Sequence, residues 1–327
     1  MSTKLISLSK LSQSSLLVLF SLLFFPKLVA ATPAVKAQEI AQQPSATPDA
    51  TRAAAERALN QGLELYRQGT AESLRQAIAN WEEAVVLWRQ VGDKKEEAKT
   101  LNNIGAVYDA LGEKQKALSF YNQAFPLFRA VGDRRGEATI LSNIGAVYDA
   151  LGEKQKALSY YNQALPFFRT VGDRRGEAIT LNNIGLVYDA LGEKQKALSY
   201  YNQALPFFRT VGDRRGEAIT LNNIGLVYDA LGEKQKALSY YNQALPFFRT
   251  VGDRRGEAIT LNNIGLVYDA LGEKQKALSY YNQALPFFRT VGDRRGEAIT
   301  LNNIGLVYDA LGEKQKALSY YNQALPF

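Results

Sequence analysis

Residues 172–211 read GDRRGEAITLNNIGLVYDALGEKQKALSYYNQALPFFRTV, and residues 212–251 and 252–291 repeat that string without a change. A fixed period of 40 residues marks a stacked array, in which each unit buries its apolar face against its neighbours. Within the string, Ala178, Leu181, Ile184, Gly185, Tyr188 and Leu191 recur three and four residues apart, the spacing that gathers them on one side of a helix. Asp173 stands where an N-cap precedes that helix, and Gly192 where a left-handed residue ends it. A second helix is predicted from near Glu193, with Ala197, Leu198, Tyr201, Ala204, Leu205 and Phe208 on its inner side and Gly212 closing it. The unit is a helical hairpin, with a first helix A and a second helix B.

Working outward, related units begin at Gly92, Gly132 and Gly292, so 92–327 holds six units, the last incomplete. Residues 51–91 read as a divergent first pair, through Leu59, Leu63, Tyr66, Ala77, Ile78, Trp81, Ala84 and Trp88. Ala77 aligns with Ala117 and Trp81 with Tyr121, and the turn near Gly69 is expected to be two residues longer. Asp93 and Glu96 have capping-box spacing. The expected fold is all-α, a right-handed α-solenoid of antiparallel helix pairs. Gly185 lies in the middle of helix A, where glycine costs about 1 kcal/mol relative to alanine. Its place predicts a close approach to helix B opposite Ala197 and Ala204. Pro206 and its equivalents Pro126, Pro166, Pro246, Pro286 and Pro326 fall inside helix B. An interior proline removes a backbone hydrogen bond, which is read here as a source of periodic curvature, with a recognition role as the alternative.

Before the array, residues 1–37 carry Lys4 and Lys10, then an apolar run over 16–25, then small residues suited to cleavage after Ala31 or Ala37. That is the pattern of a secretory signal. The alternative is an uncleaved anchor, although a run of that length is about half of the ~20 residues a spanning helix needs. Export to a periplasmic or extracellular compartment is expected, with no stable membrane span after cleavage. Residues 38–50 are a polar linker without periodicity. The net charge is +7, but Lys4, Lys10, Lys27 and Lys36 supply four of those charges, which leaves three for the remaining 290 residues. Such a mixed-charge array has weak long-range attraction for polyanions.

The chain has no Cys and no His. Disulfides, thiolate nucleophiles, zinc–sulfur sites and Ser–His–Asp or Cys–His catalysis are therefore excluded within it. Carboxylates and lysines could still do chemistry, so a non-enzyme is an expectation and not an elimination. No metal or cofactor is expected.

The constellation Leu181, Ile184, Gly185, Tyr188, Ala197, Tyr201 and Ala204 resembles the tetratricopeptide repeat family. Leu181 sits at the family's usual aromatic place, and the family's boundary proline is missing. The spacing fits the roughly 34-residue motif without gaps. The six extra residues fall between units, as in the longer repeats of kinesin light chains and animal spindle-orientation adaptors, which carry similar LNNL- and GDR-like segments. The resemblance implies a concave face lined by the A helices. In the resembling families an asparagine there hydrogen-bonds the backbone of an extended peptide. The matching column is Asn103, Asn143, Asn183, Asn223, Asn263 and Asn303, with Asn182, Asn222 and Asn262 beside it. An amide offers two donors and an acceptor, so it can satisfy a peptide group of any sequence. Leu186, Leu226 and Leu266 would add apolar contact, and Asp189, Asp229 and Asp269 would favour basic ligands. The alternative is that the asparagines are solvated helix residues. Arg174–Arg175 reads as a solvated first turn, or else as an anion site. Tyr201 reads as core with Tyr200 against the next unit, or else the pair forms an aromatic platform.

The function expected is an extracytoplasmic scaffold for a protein or extended peptide. Exported bacterial proteins with similar leaders and arrays can continue into a caspase-like CHAT protease domain. The alternative reading therefore makes the chain the sensor or adaptor half of a larger protein, with a CHAT-like effector domain elsewhere. Phe327 falls within a B helix, and a further domain or self-association is expected to cover that end. Nucleic-acid reading at one base per unit is the weakest alternative, and no nucleic-acid partner is expected.

Overall fold

The structure is a computed structural model and describes residues 47–325. The predicted leader, most of the linker and the last two residues lie outside the described residues. The described residues form fourteen helices and no strands. The first pair is α1 (Pro48–Gln68) and α2 (Ala71–Val91). Regular pairs follow: α3 (Lys94–Ala110) with α4 (Lys114–Ala130), α5 (Arg134–Ala150) with α6 (Lys154–Thr170), and α7 (Arg174–Ala190) with α8 (Lys194–Thr210). The remaining pairs are α9 (Arg214–Ala230) with α10 (Lys234–Thr250), α11 (Arg254–Ala270) with α12 (Lys274–Thr290), and α13 (Arg294–Ala310) with α14 (Lys314–Ala324). Each helix packs on the one before it and the one after it. This is an all-α solenoid of consecutive helix pairs.

Local chemistry sets these boundaries. Asp173 caps α7 by accepting from the Gly176 N–H at 2.9 Å. At the other end Gly192 takes φ 78°, a left-handed conformation that costs glycine little. Its turn lets the Glu193 N–H reach the Tyr188 carbonyl at 2.9 Å and the Gly192 N–H reach that of Asp189 at 3.0 Å, satisfying carbonyls that the helix end would orphan. The capping box expected at Asp93 forms by half: the Glu96 N–H reaches Asp93 at 3.1 Å, but the Glu96 carboxylate turns to Lys99. A reciprocal box occurs instead at Thr70 and Ser73.

Three expectations about the scaffold are corrected. Pro48–Ala50, assigned to the linker, form the first turn of α1, because Thr47 caps it and proline is preorganised for a first turn. The turn after Gly69 is not longer; the extra residues extend α2 at its start. At Gly185 the two helices approach closely as expected, but the nearest group is the ring of Tyr201 and not Ala197 or Ala204: a Cβ on Gly185 would lie 2.5 Å from that ring. Glycine leaves room there for a buried aromatic, and Trp81 takes the same place against Gly62 in the first pair. Pro126, Pro166, Pro206, Pro246 and Pro286 are accommodated without a break, and Pro326 lies outside the described residues. Pro206 sits on the exposed side of α8, and Thr210 donates its hydroxyl to the Pro206 carbonyl at 2.7 Å.

The core is a chain of repeated clusters. Leu198, Tyr201 and Leu205 of one unit pack with Leu221, Ile224 and Val227 of the next. Burying side chains of this size contributes roughly 1.5–3 kcal/mol each, so the seams between units add substantially to the packing within each pair.

The candidate inner face

The A helices of successive units touch one another, from α3 and α5 through to α11 and α13, while no pair of successive B helices makes comparable contact. An array whose A sides lie closer together curves toward them, so the A helices form the inner face. On α7 the residues turned outward from the core are Arg175, Ile179, Asn183, Leu186 and Ala190, a single stripe at helical spacing.

Leu186, Leu226 and Leu266 stand about 40% exposed on this stripe, as placed by the sequence. Ile179, Ile219, Ile259 and Ile299 are also exposed on it, seven residues before each leucine. The sequence reading missed this isoleucine column, although a helical spacing of seven from Leu186 would have found it. In the units that begin at Gly92 and Gly132 the same places hold Lys99 with Ala106 and Thr139 with Ala146. The apolar stripe therefore belongs to α7, α9, α11 and α13.

The asparagines occupy the seam between units. Asn182 is 7% exposed, and its Oδ1 accepts from the Thr220 hydroxyl at 3.1 Å and from the Asn223 amide at 3.4 Å. The arrangement recurs at Asn222, with Thr260 and Asn263, and at Asn262, with Thr300 and Asn303. Asn102 and Asn143 pair at 2.9 Å. Asn182, Asn222 and Asn262, expected to face a peptide, are thus buried in the seam instead, because the following A helix covers them; Asn302, which no such helix covers among the described residues, is exposed. Ser142 breaks the series. It has no amide to offer, and its hydroxyl lies 3.5 Å from that of Thr180. In the Asn223 and Asn263 column one amide N–H is committed to the scaffold, and Oδ1 and the second N–H have no partner within the described residues. Asn103 and Asn183 are half-buried on the same face.

The charges near the stripe are paired. Asp189, Asp229 and Asp269 each bond a lysine of the following helix at 2.7 Å, Lys194, Lys234 and Lys274, so their carboxylates do not stand free for a basic ligand as expected. Arg175 is neither simply solvated nor an anion site: its Nε lies 2.8 Å from Asp213, the capping residue of the next unit. Arg174 bonds Glu177 and lies over the Phe207 ring. The nearly buried Glu217 carboxylate is held by Arg209 from the preceding helix and by Arg214. Tyr200 stacks on Tyr188 of its own unit at 5.4 Å, not against the next. Tyr201 is core, as expected, and its burial pushes its hydroxyl pKa well above the usual tyrosine value.

Among the described residues no cluster of three or more carboxylates could hold a metal ion, and no helix is long and apolar enough to cross a membrane. What the inner face offers is shape, two apolar columns and amide hydrogen bonds.

Comparison with known proteins agrees with this architecture. A family model described as Tetratricopeptide repeat matches residues 70–130, 125–170, 137–210 and 207–250, and a second of the same description matches 258–285 and 298–325. No curated protein matches the chain in sequence. Among solved structures the chain is similar to BtubC (BKLC) from P. vanneervenii, at 23% identity over 68% of this chain and 93% of that one, with a TM-score of 0.60. It is similar to aspartyl phosphate phosphatase F from Bacillus subtilis, at 15% identity over 90% and 78%, with a TM-score of 0.68. It is also similar to a Rap protein complexed with Competence and Sporulation Factor, at 17% identity over 86% and 81%, with a TM-score of 0.57. At these identities the likeness shows the fold.

Proposed function

The chain belongs to the tetratricopeptide repeat family, and from that premise we propose that it is an extracytoplasmic scaffold that holds an extended peptide segment of a partner protein along the inner face of its A helices. One observation carries the reading: large apolar side chains, Ile179 and Leu186 and their copies, stand exposed in register on that face. Scattered exposed leucines are ordinary, but an aligned apolar column on a concave surface is the usual mark of an interaction site. The asparagines add backbone recognition from the amide groups left over after the seam is satisfied. A solved structure of similar fold, the Rap protein complexed with Competence and Sporulation Factor, supports a protein or peptide partner. The leader at 1–37 supports export.

Selection of displayed peptides on the intact chain tests this, followed by titration of the selected peptide against the variant carrying Leu186→Asp, Leu226→Asp and Leu266→Asp together. A charge at each exposed leucine should abolish binding while circular dichroism stays unchanged. Undiminished affinity in a folded triple variant would remove the inner face as the site.

A further inference from the structure

If the inner face is the peptide groove, its repeat geometry restricts what peptide fits. Ile179 and Leu186 recur at 40-residue intervals through Ile299 and Leu306. On α7, α9 and α11 the charges beside them are paired, Arg175, Arg215 and Arg255 with the next capping aspartate and Asp189, Asp229 and Asp269 with a lysine of the following helix. A charged ligand therefore finds no free counter-charge there, and the complementary occupant is uncharged. Between the apolar columns the half-buried Asn263 and Asn303 keep an N–H and Oδ1 without partners among the described residues.

The period then selects a conformation. Successive A helices are in contact, and packed helices lie roughly 8–10 Å apart. A ligand running across them meets the same surface at about that interval. A polyproline II helix advances about 9.3 Å per three-residue turn and returns every third side chain to the same side. A β-strand returns side chains to one side every second residue, about 6.6 Å, and turns its third residue away. An α-helix also repeats near 10 Å, over seven residues, but its backbone groups are spent internally and have no use for the asparagine amides. Polyproline II has no internal hydrogen bonds, so its carbonyls and remaining N–H groups are free for them.

We propose that α7, α9, α11 and α13 select an uncharged segment in the polyproline II conformation with an apolar side chain at every third position, one turn to each unit. Four units accommodate about twelve residues at three residues per turn.

The test is calorimetric titration of the full chain with synthetic twelve-residue peptides of one composition, four leucines among prolines and serines. One peptide has leucine at every third position, one has the leucines alternating, and one has them irregular. A separate helix-forming peptide carries apolar residues seven apart. The proposal expects the three-residue peptide to bind at least about tenfold more tightly than either isomer, and that preference to disappear in Leu226→Asp. Equal affinities for the isomers, all lost in Leu226→Asp, would overturn the register while leaving the groove in place. Tighter binding of the helical peptide, or no binding of the three-residue peptide, would also overturn it.

Discussion

Asn223 donates its side-chain amide to Oδ1 of Asn182 across the seam between two units, at 3.4 Å, beside the Thr220 hydroxyl that donates to the same oxygen. The two adjacent asparagines of α9 and of α11 thus have different duties. The first, Asn222 or Asn262, is buried and joins its unit to the next, and the second, Asn223 or Asn263, reaches back to the preceding joint with one N–H and keeps the rest of its amide without a partner among the described residues.

This division predicts opposite phenotypes for neighbouring residues. Replacing Asn222 by Ala removes the oxygen that Thr260 and Asn263 share across the seam, although the Thr260 hydroxyl keeps its bond to the Gly256 carbonyl at 2.9 Å. The cost should be about 1 kcal/mol, the usual net worth of a hydrogen bond lost from a folded protein. Replacing Leu226, which stands on the surface, by Ala should change stability by no more than about 0.5 kcal/mol. Thermal unfolding of the two variants compares them directly, and similar losses would show that Leu226 is structural.

A methyl group at Gly225 should be destabilising although alanine is the better helix former. The gain from propensity is about 1 kcal/mol, but the new Cβ would lie 2.5 Å from the Tyr241 ring. Overpacking of this kind costs typically 1–3 kcal/mol, so Gly225→Ala should lower the unfolding midpoint. Adding Tyr241→Leu should recover part of the loss, and additive effects in the double variant would place the strain elsewhere.

These two cases mark how far the sequence could be read. The helix pairs, the Asp173 cap, the glycine stop at Gly192 and the burial of Tyr201 all follow from patterns within one unit, so periodicity and capping chemistry revealed them. Asn182 lies beside the apolar stripe on its own helix, and its burial comes from the following A helix, which no single-helix pattern displays. The same limit hid the Arg175–Asp213 pair and the Tyr188–Tyr200 stack, where the side chains are far apart in sequence or on different helices. Ile179 was legible at a spacing of seven from Leu186 but was not read.

High pH should unfold the array cooperatively. Burial raises the pKa of Tyr121, Tyr161, Tyr201, Tyr241 and Tyr281 above the ordinary value of 10.0. The folded state then holds the proton more firmly than the unfolded state, so the associated stability is full below pH 10 and falls as pH rises above it. Ultraviolet titration of tyrosinate should show this buried set ionising in one steep step that coincides with loss of helix. A smooth titration centred on the ordinary value, with the helices intact, would contradict the packing.

The units are not equally well joined. Between α3 and α5, Lys95 replaces the arginine that elsewhere meets the next cap, and Ile140 replaces the threonine that bonds the asparagine. The later seams have both, as in Arg215 with Asp253 and Thr260 with Asn222. Native-state hydrogen exchange should therefore be faster in α3–α5 than in α9–α11, reflecting local opening at a weaker joint. Equal protection would mean that apolar packing alone sets the seam strength.

The central claim is that the A helices carry the partner. Hydrogen-exchange footprinting of the intact chain, with and without a selected peptide ligand, tests it most directly. The account predicts new protection on α7, α9, α11 and α13, over the segments that contain Ile179 and Leu186 and their copies, with α8, α10 and α12 unchanged. Protection confined to the B helices, or to residues before Gly172, would contradict it.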